Sequence, residues 1–325
     1  MSRIVRFIGP VLCAALCFAT ASVYGEQFPT KPVRVLVPFP PGGTVDLIAR
    51  AFGQKLTEIW KQQVLVDNRA GAGGTIAADA VAKSPPNGYT LLLHSVAQAI
   101  SAGLYRKLPF DPVKDFTPVT QLTGTSFLLV VNPKVPAVSV AELIALARSQ
   151  PGKLNFSSSG YGSSPHLAGE LLKSLAGIQV VHVPYKGDAG QMPALFAYEV
   201  QFAFLPMLTA LPHVKAGKLR ALAVSTAGRN AAVPELPTVK EGGLPKFQFS
   251  GWIGVFAPGG TPHNITRQLA DDFVKVLQMP DITKNLENSG YEMVGSSPEE
   301  FAARYKEDIG FYTDLVRTAK IPLVD

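Results

Sequence analysis

Two small-residue loops, each set between an apolar strand and the start of a helix, constrain this chain most. The first is Pro38-Phe39-Pro40-Pro41-Gly42-Gly43-Thr44-Val45-Asp46, after the apolar run Val33 to Val37. The second is Asn68-Arg69-Ala70-Gly71-Ala72-Gly73-Gly74-Thr75, after Val64 to Val66. A helix start exposes unpaired backbone N–H groups and carries the positive end of the helix dipole. Two such starts in one domain make a site for a small anion. Asp46 falls in a first helical turn, where it favours the dipole instead of meeting a ligand.

Strand and helix patterns alternate along the chain, which predicts an α/β fold with mainly parallel sheets flanked by helices. Ile48, Phe52, Leu56 and Ile59 share one face of the first helix. An alanine-rich helix to Lys83 and a strand from Thr90 to Leu93 follow. A similar order recurs from Ser126, with strands at Phe127 to Val131 and Leu154 to Phe156. Between them, Ser139-Val140-Ala141-Glu142 reads as a capping box. The second of these strands leads into a hydroxyl-rich loop, Ser157 to Ser163, and a helix opened by Ser164-Pro165. A strand from Val180 to Val183 leads into Tyr185-Lys186-Gly187-Asp188, and Gln201 to Leu205 and Ala221 to Val224 are further strands. The last third holds a strand from Ser250 to Ala257, a helix begun by Thr261-Pro262, and a capping box at Ser297 to Glu300 opening a C-terminal helix.

Ligands of open α/β sheets bind at the carboxyl ends of strands, so two lobes presenting such ends to one another form a cleft. With no long linker in sight, the chain is expected to cross between lobes near Val119 to Thr125 and near Phe247 to Trp252. That makes lobe 1 discontinuous, residues 26–124 plus 249–325, with lobe 2 at 125–248.

The N-terminus departs from the globular pattern. Arg3 and Arg6 precede an apolar stretch from Phe7 to Ala19, and Ala19-Thr20-Ala21 or Val23-Tyr24-Gly25 offers small residues for cleavage. Residues 1–25 therefore read as a secretory signal peptide, which places the mature chain in the periplasm. Both cysteines, Cys13 and Cys17, lie inside it, so the mature chain carries no disulfide, thiol nucleophile or cysteine metal ligand. Without Arg3 and Arg6, 28 basic residues stand against 24 acidic ones, a net charge of +4 with no basic run. Nucleic acid is not an expected partner.

Catalytic and cofactor motifs are absent. The glycines of the second loop lack dinucleotide spacing, no phosphate loop ends in Gly-Lys-Ser/Thr, and the His-Glu-x-x-His zinc motif does not occur. No cofactor and no metal are expected. The order Gly160-Tyr161-Gly162-Ser163-Ser164 is not a nucleophile elbow, and no sequence signal brings His166 or His182 to a serine. His166 stands four residues before Glu170, a spacing that predicts a local pair. A secreted serine hydrolase stays as a rival to binding, as does a module that senses a ligand and signals through a membrane partner.

Four stretches in order resemble the Bug family, the periplasmic receptors of tripartite tricarboxylate transporters. They are Pro38 to Asp46, Asp67 to Gly74, Pro86-Asn87-Gly88-Tyr89-Thr90, and Val183-Pro184-Tyr185-Lys186-Gly187. The resemblance covers essentially the whole mature chain. It implies a two-lobe Venus-flytrap fold of the type II binding-protein kind, a monomer that is not an enzyme. It also implies a small organic carboxylate as ligand and integral membrane transporter subunits as partners. Carried over residue by residue, the ligand site falls on Phe39, Gly42, Gly43, Thr44, Ala72, Gly73, Gly74, Thr75 and Ser95 in lobe 1. In lobe 2 it falls on Ser158, Ser159, Gly160, Ser163, Tyr185 and Gly187. Tyr161 is large where the family has a small residue, and Leu205-Pro206 stands where many members have an acidic or polar group. The second difference disfavours a ligand ammonium and favours a plain carboxylate.

Overall fold

The computed structural model describes residues 28–325. The expected signal peptide lies outside the described residues. Eleven strands form two sheets. The six-stranded sheet runs in the order β11 (Glu292–Met293), β4 (Phe116–Thr125), β10 (Gly251–Pro258), β3 (Thr90–Ser95), β1 (Val33–Val37), β2 (Val64–Asn68). The five-stranded sheet runs β7 (Val181–Pro184), β6 (Asn155–Ser158), β8 (Phe202–Pro206), β5 (Phe127–Val131), β9 (Arg220–Val224).

The two-lobe α/β fold is as the sequence predicts, but both sheets are mixed where mainly parallel sheets were expected. β1 pairs parallel with β2 and β3, whereas β10 is antiparallel to both β3 and β4. Likewise β6 pairs parallel with β7 and β8, whereas β5 is antiparallel to β8 and β9. The odd strands are β5 and β10, the two that arrive from the other sheet, and the two-residue edge strand β11, antiparallel to β4. A strand entering from the opposite lobe runs away from the cleft. The strands of βα units run toward it, so the arriving strand opposes its neighbours.

The helices are α1 (Thr44–Trp60), α2 (Thr75–Ala82), α3 (Ala97–Leu104), α4 (Val140–Ser149), α5 (Ser164–Ala176), α6 (Gly187–Ala197), α7 (Met207–Lys215), α8 (His263–Leu277), α9 (Pro280–Asn288) and α10 (Pro298–Thr318). On α1 the stripe Ile48, Phe52 and Leu56 is buried, and Trp60 replaces Ile59 at its buried end. The box before α10 is complete: Glu300 N–H donates to Ser297 Oγ at 3.2 Å, and Ser297 N–H donates to the Glu300 carboxylate at 2.8 Å. Before α4 only half of it forms, because Glu142 takes the Val138 N–H instead of that of Ser139.

Between the sheets, β4 passes into β5 through Ser126 alone. The second crossing reaches β10 through Phe249 and Ser250. One side chain ties the two together. Ser225 Oγ accepts from Phe127 N–H at 3.1 Å and donates to the Phe249 carbonyl at 2.7 Å. A buried hydroxyl with both roles filled holds the two crossing segments side by side.

Candidate functional site

The two glycine loops are pinned to one another by a buried ion. Asp46 accepts from Gly42 N–H at 2.9 Å, from Asn68 Nδ2 at 2.9 Å and from Arg50 Nε at 3.1 Å. Asn68 Nδ2 also donates to the Phe39 carbonyl at 2.9 Å. Burial alone raises the pKa of Asp46, but the Arg50, Gly42 and Asn68 hydrogen bonds outweigh it and hold the carboxyl below its ordinary value. Asp46 thus shapes the site without facing it, as its position in the helix predicts.

Between the sheets lies a cavity of about 30 Å³, room for one or two waters. Phe39, Thr44 and Ser95 line it from the six-stranded side, Ser159, Ser163 and Asp188 from the other, and Thr125 and Trp252 from the crossing segments. Three helices begin at its wall. Thr44 opens α1, Ser163 caps α5 with its hydroxyl on His166 N–H, and Asp188 lies in the first turn of α6. Their dipoles add a positive potential that no lysine or arginine on the cavity wall accompanies. Thr44 and Thr125, both under a tenth exposed, keep hydroxyls with no completed hydrogen bond. The helix starts therefore favour negative charge, of which Asp188 already brings one on the lobe 2 side, and Thr44 and Thr125 offer free hydroxyl donors and acceptors.

Of the residues singled out from sequence, Phe39, Thr44, Ser95, Ser159 and Ser163 meet at this cavity. Gly42 and Gly43 shape the entry to α1, and a Cβ on Gly43 would lie 3.8 Å from Asp188 Oδ2. Ala72, Gly73, Gly74 and Thr75 do not line it. Gly73, at φ +64°, packs against the Tyr161 carbonyl of the opposite lobe. Gly74 packs on the His94 ring, and Thr75 Oγ1 closes its own turn on the Ala72 carbonyl at 2.9 Å. Gly187 abuts Pro40 across the lobes. Ser158 and Gly160 are absorbed in loop hydrogen bonds, with Ser163 Oγ on the Gly160 carbonyl at 2.7 Å. Tyr185 is half-buried and packs in the apolar core under α6 and α7.

Sequence reasoning assigned no role to Asp188, Thr125 or Trp252. Asp188 carried one usable signal: it is an acid placed directly after the glycine that opens a helix behind a strand. Thr125 and Trp252 carried none, because only the pairing of β4 with β10 brings them together.

Two histidines form a pair that the sequence did not suggest. His166 and His182 stack with ring centroids 4.3 Å apart, and Glu170 pairs with Lys173 at 3.0 Å rather than with His166. His182 Nε2 does reach Ser158 Oγ, at 2.6 Å. Ser158 is wholly buried, however, and His182 Nδ1 has no partner, so no third residue orients the ring as a hydrolytic triad requires. Burial lowers His94 to about 3. Burial, with repulsion from His182 and Lys173, lowers His166 to about 3. Burial and Lys173 lower His182 to about 4. Unfolding returns all three toward the ordinary value of about 6.5. Below that pH the unfolded chain takes up protons that the folded chain refuses, so stability falls as pH drops from about 6.5 toward the folded values. We expect the denaturant midpoint to decline steadily between pH 6.5 and 4. The imidazole NMR signals of these three residues should stay fixed between pH 7 and 5. Movement of any of them with a midpoint near 6.5 would contradict its burial in the neutral form.

Residues 48–315 match the profile of the tripartite tricarboxylate transporter family receptor, TctC. The chain belongs to that family. It is a two-lobe receptor of the periplasmic solute-binding kind, serving a tripartite transporter. Its relatives include Protein BugT of Bordetella pertussis, 34% identical over 319 residues that span 98% of this chain and 97% of BugT. Among solved structures it is similar to R. palustris Rpa4515 with adipate, at TM-score 0.88 and 36% identity over 91% of this chain and all of that one. MatC (Rpa3494) from Rhodopseudomonas palustris with bound malate is similar at TM-score 0.85 and 32% identity, over 89% of this chain and all of that one. The family and these relatives are receptors rather than enzymes.

Proposed function

We propose that this receptor captures a small organic carboxylate in the periplasm, between lobes formed by residues 26–124 plus 249–325 and by 125–248, and presents it to integral membrane subunits. The carrying observation is the cavity that both lobes line with hydroxyls and helix N-termini. A carboxylate held there is satisfied by hydroxyls and backbone N–H groups, with the helix dipoles supplying the positive potential. Phe39, Thr44, Ser95, Ser159 and Ser163 are the contact residues in this reading, Gly42 and Gly43 form the turn into α1, and Gly187, packed on Pro40, keeps the lobes close enough for one ligand to touch both. The adipate and malate of the two solved relatives are ligands of this chemistry. A space of about 30 Å³ is too small for either, so the lobes part to admit a ligand and close on it. The chain acts as a monomer, by binding without turnover.

The test is native mass spectrometry of the exported protein, followed by calorimetric titration and small-angle scattering with plain, hydroxy and amino carboxylates. A bound small acid, micromolar affinity and a smaller radius of gyration at saturation are expected, because only the closed state offers contacts from both lobes. An unchanged radius at saturating ligand contradicts the closure mechanism. Turnover of generic esters without carboxylate binding contradicts the receptor.

A further inference from the structure

We propose that Asp188 sets the specificity of this receptor, filling the anion-binding end of α1 with the protein's own carboxylate so that the subsite there takes a ligand ammonium group. The proposal deepens the carboxylate-receptor reading and rests on it. Asp188 belongs to the five-stranded lobe, yet its Oδ2 lies 3.8 Å from the Cβ position of Gly43 in the other lobe. The residue as a whole is half-buried, while its carboxylate is enclosed and faces the Thr44 N–H, the Thr44 hydroxyl and the Ser159 hydroxyl. Those are the groups that an incoming carboxylate would use at the start of α1.

No cation answers this charge. Among the described residues Asp188 enters no ion pair, and the neighbouring Lys186 is exposed. Burial pushes the Asp188 carboxyl up, and the Ser159 and Thr44 donor groups nearby offset that only in part. The Tyr291 hydroxyl stands close by, 5% exposed as a residue and without a completed hydrogen bond, and so does Thr44 Oγ1. An ionised carboxylate accepts about four hydrogen bonds, more than these neighbours supply. A second carboxylate here meets a like charge, and one of the two must take a proton. A ligand ammonium brings the missing opposite charge and three donors. The sequence expectation from Leu205-Pro206, that no acid awaits an ammonium, is thereby reversed: the acid comes from the start of α6 instead of the end of β8.

The experiment titrates the full mature receptor and its Asp188→Asn variant with matched pairs: succinate and aspartate, glutarate and glutamate, adipate and 2-aminoadipate. Asn keeps the shape and removes the charge. Wild type should prefer the amino member of at least one pair by about tenfold or more, and the variant should weaken that member and tighten its plain counterpart by similar factors. Equal or tighter binding of the plain members by wild type, unchanged in Asp188→Asn, overturns the role of Asp188 and leaves the receptor reading intact. Binding of no member by either protein overturns both. If the variant does not fold, the wild-type preference within each pair decides alone.

Discussion

Replacing Gly73 by valine should lower ligand affinity by about 100-fold or more, through lobe closure and not through direct contact with the ligand. A Cβ on Gly73 would sit 2.5 Å from the Tyr161 carbonyl and 2.8 Å from the Tyr105 hydroxyl. Backbone cannot yield as a flexible side-chain tip can, so the two lobes must stand further apart. Gly73 also lies at φ +64°, where a branched residue adds strain of about 1 kcal/mol or more. Scattering at saturating ligand should show the open radius for Gly73→Val and the compact one for wild type. Lys186→Ala is the contrast. Its exposed ammonium makes no ion pair, and screening leaves it a change of no more than about twofold. A Gly73→Val protein that closes and binds normally would remove this contact from the closed state. Loss of binding in Lys186→Ala would call for a charge clamp instead.

Trp252→Ala should cost about 3–5 kcal/mol, a large share of the roughly 5–15 kcal/mol that holds a domain together. Trp252 is 1% exposed on β10, the strand that returns from the five-stranded lobe. Its ring stands edge-on to Phe301 with centroids 5.1 Å apart, and its Nε1–H donates to Asp308 Oδ2 at 2.7 Å. Truncation leaves a void and strips the buried Asp308 of one of its two partners, Arg304 at 2.8 Å being the other. Trp252→Phe keeps much of the ring volume and loses the donor, for about 1–3 kcal/mol. Urea midpoints of the three proteins separate the contributions. A phenylalanine variant as unstable as the alanine one would assign the effect to the hydrogen bond and not to packing.

Local chemistry made many elements legible in the sequence. The strands at Val33 to Val37 and Phe127 to Val131 are near-continuous apolar runs. The helix started by Ser164-Pro165 and the capping box at Ser297 appear where their side chains demand. Helices α3, α7 and α9 went unread for the same reason in reverse. None has a side-chain cap, α7 carries Pro212 in its interior, and α3 is mostly small residues without a clear polar face.

The sequence by itself determined the family, the two lobes and half of the cavity wall, because strand-to-helix loops bring their own geometry: Phe39, Thr44, Ser159 and Ser163 face the site because of the turns that hold them. Only the tertiary structure decided the rest. The directions of β5 and β10 follow from the chain entering each lobe from the other. The turn of Gly73 toward Tyr161, and the reach of Asp188 to the start of α1, depend on how closely the two lobes meet. No local pattern encodes such contacts. They join residues from opposite lobes, and distance along the chain carries no trace of them.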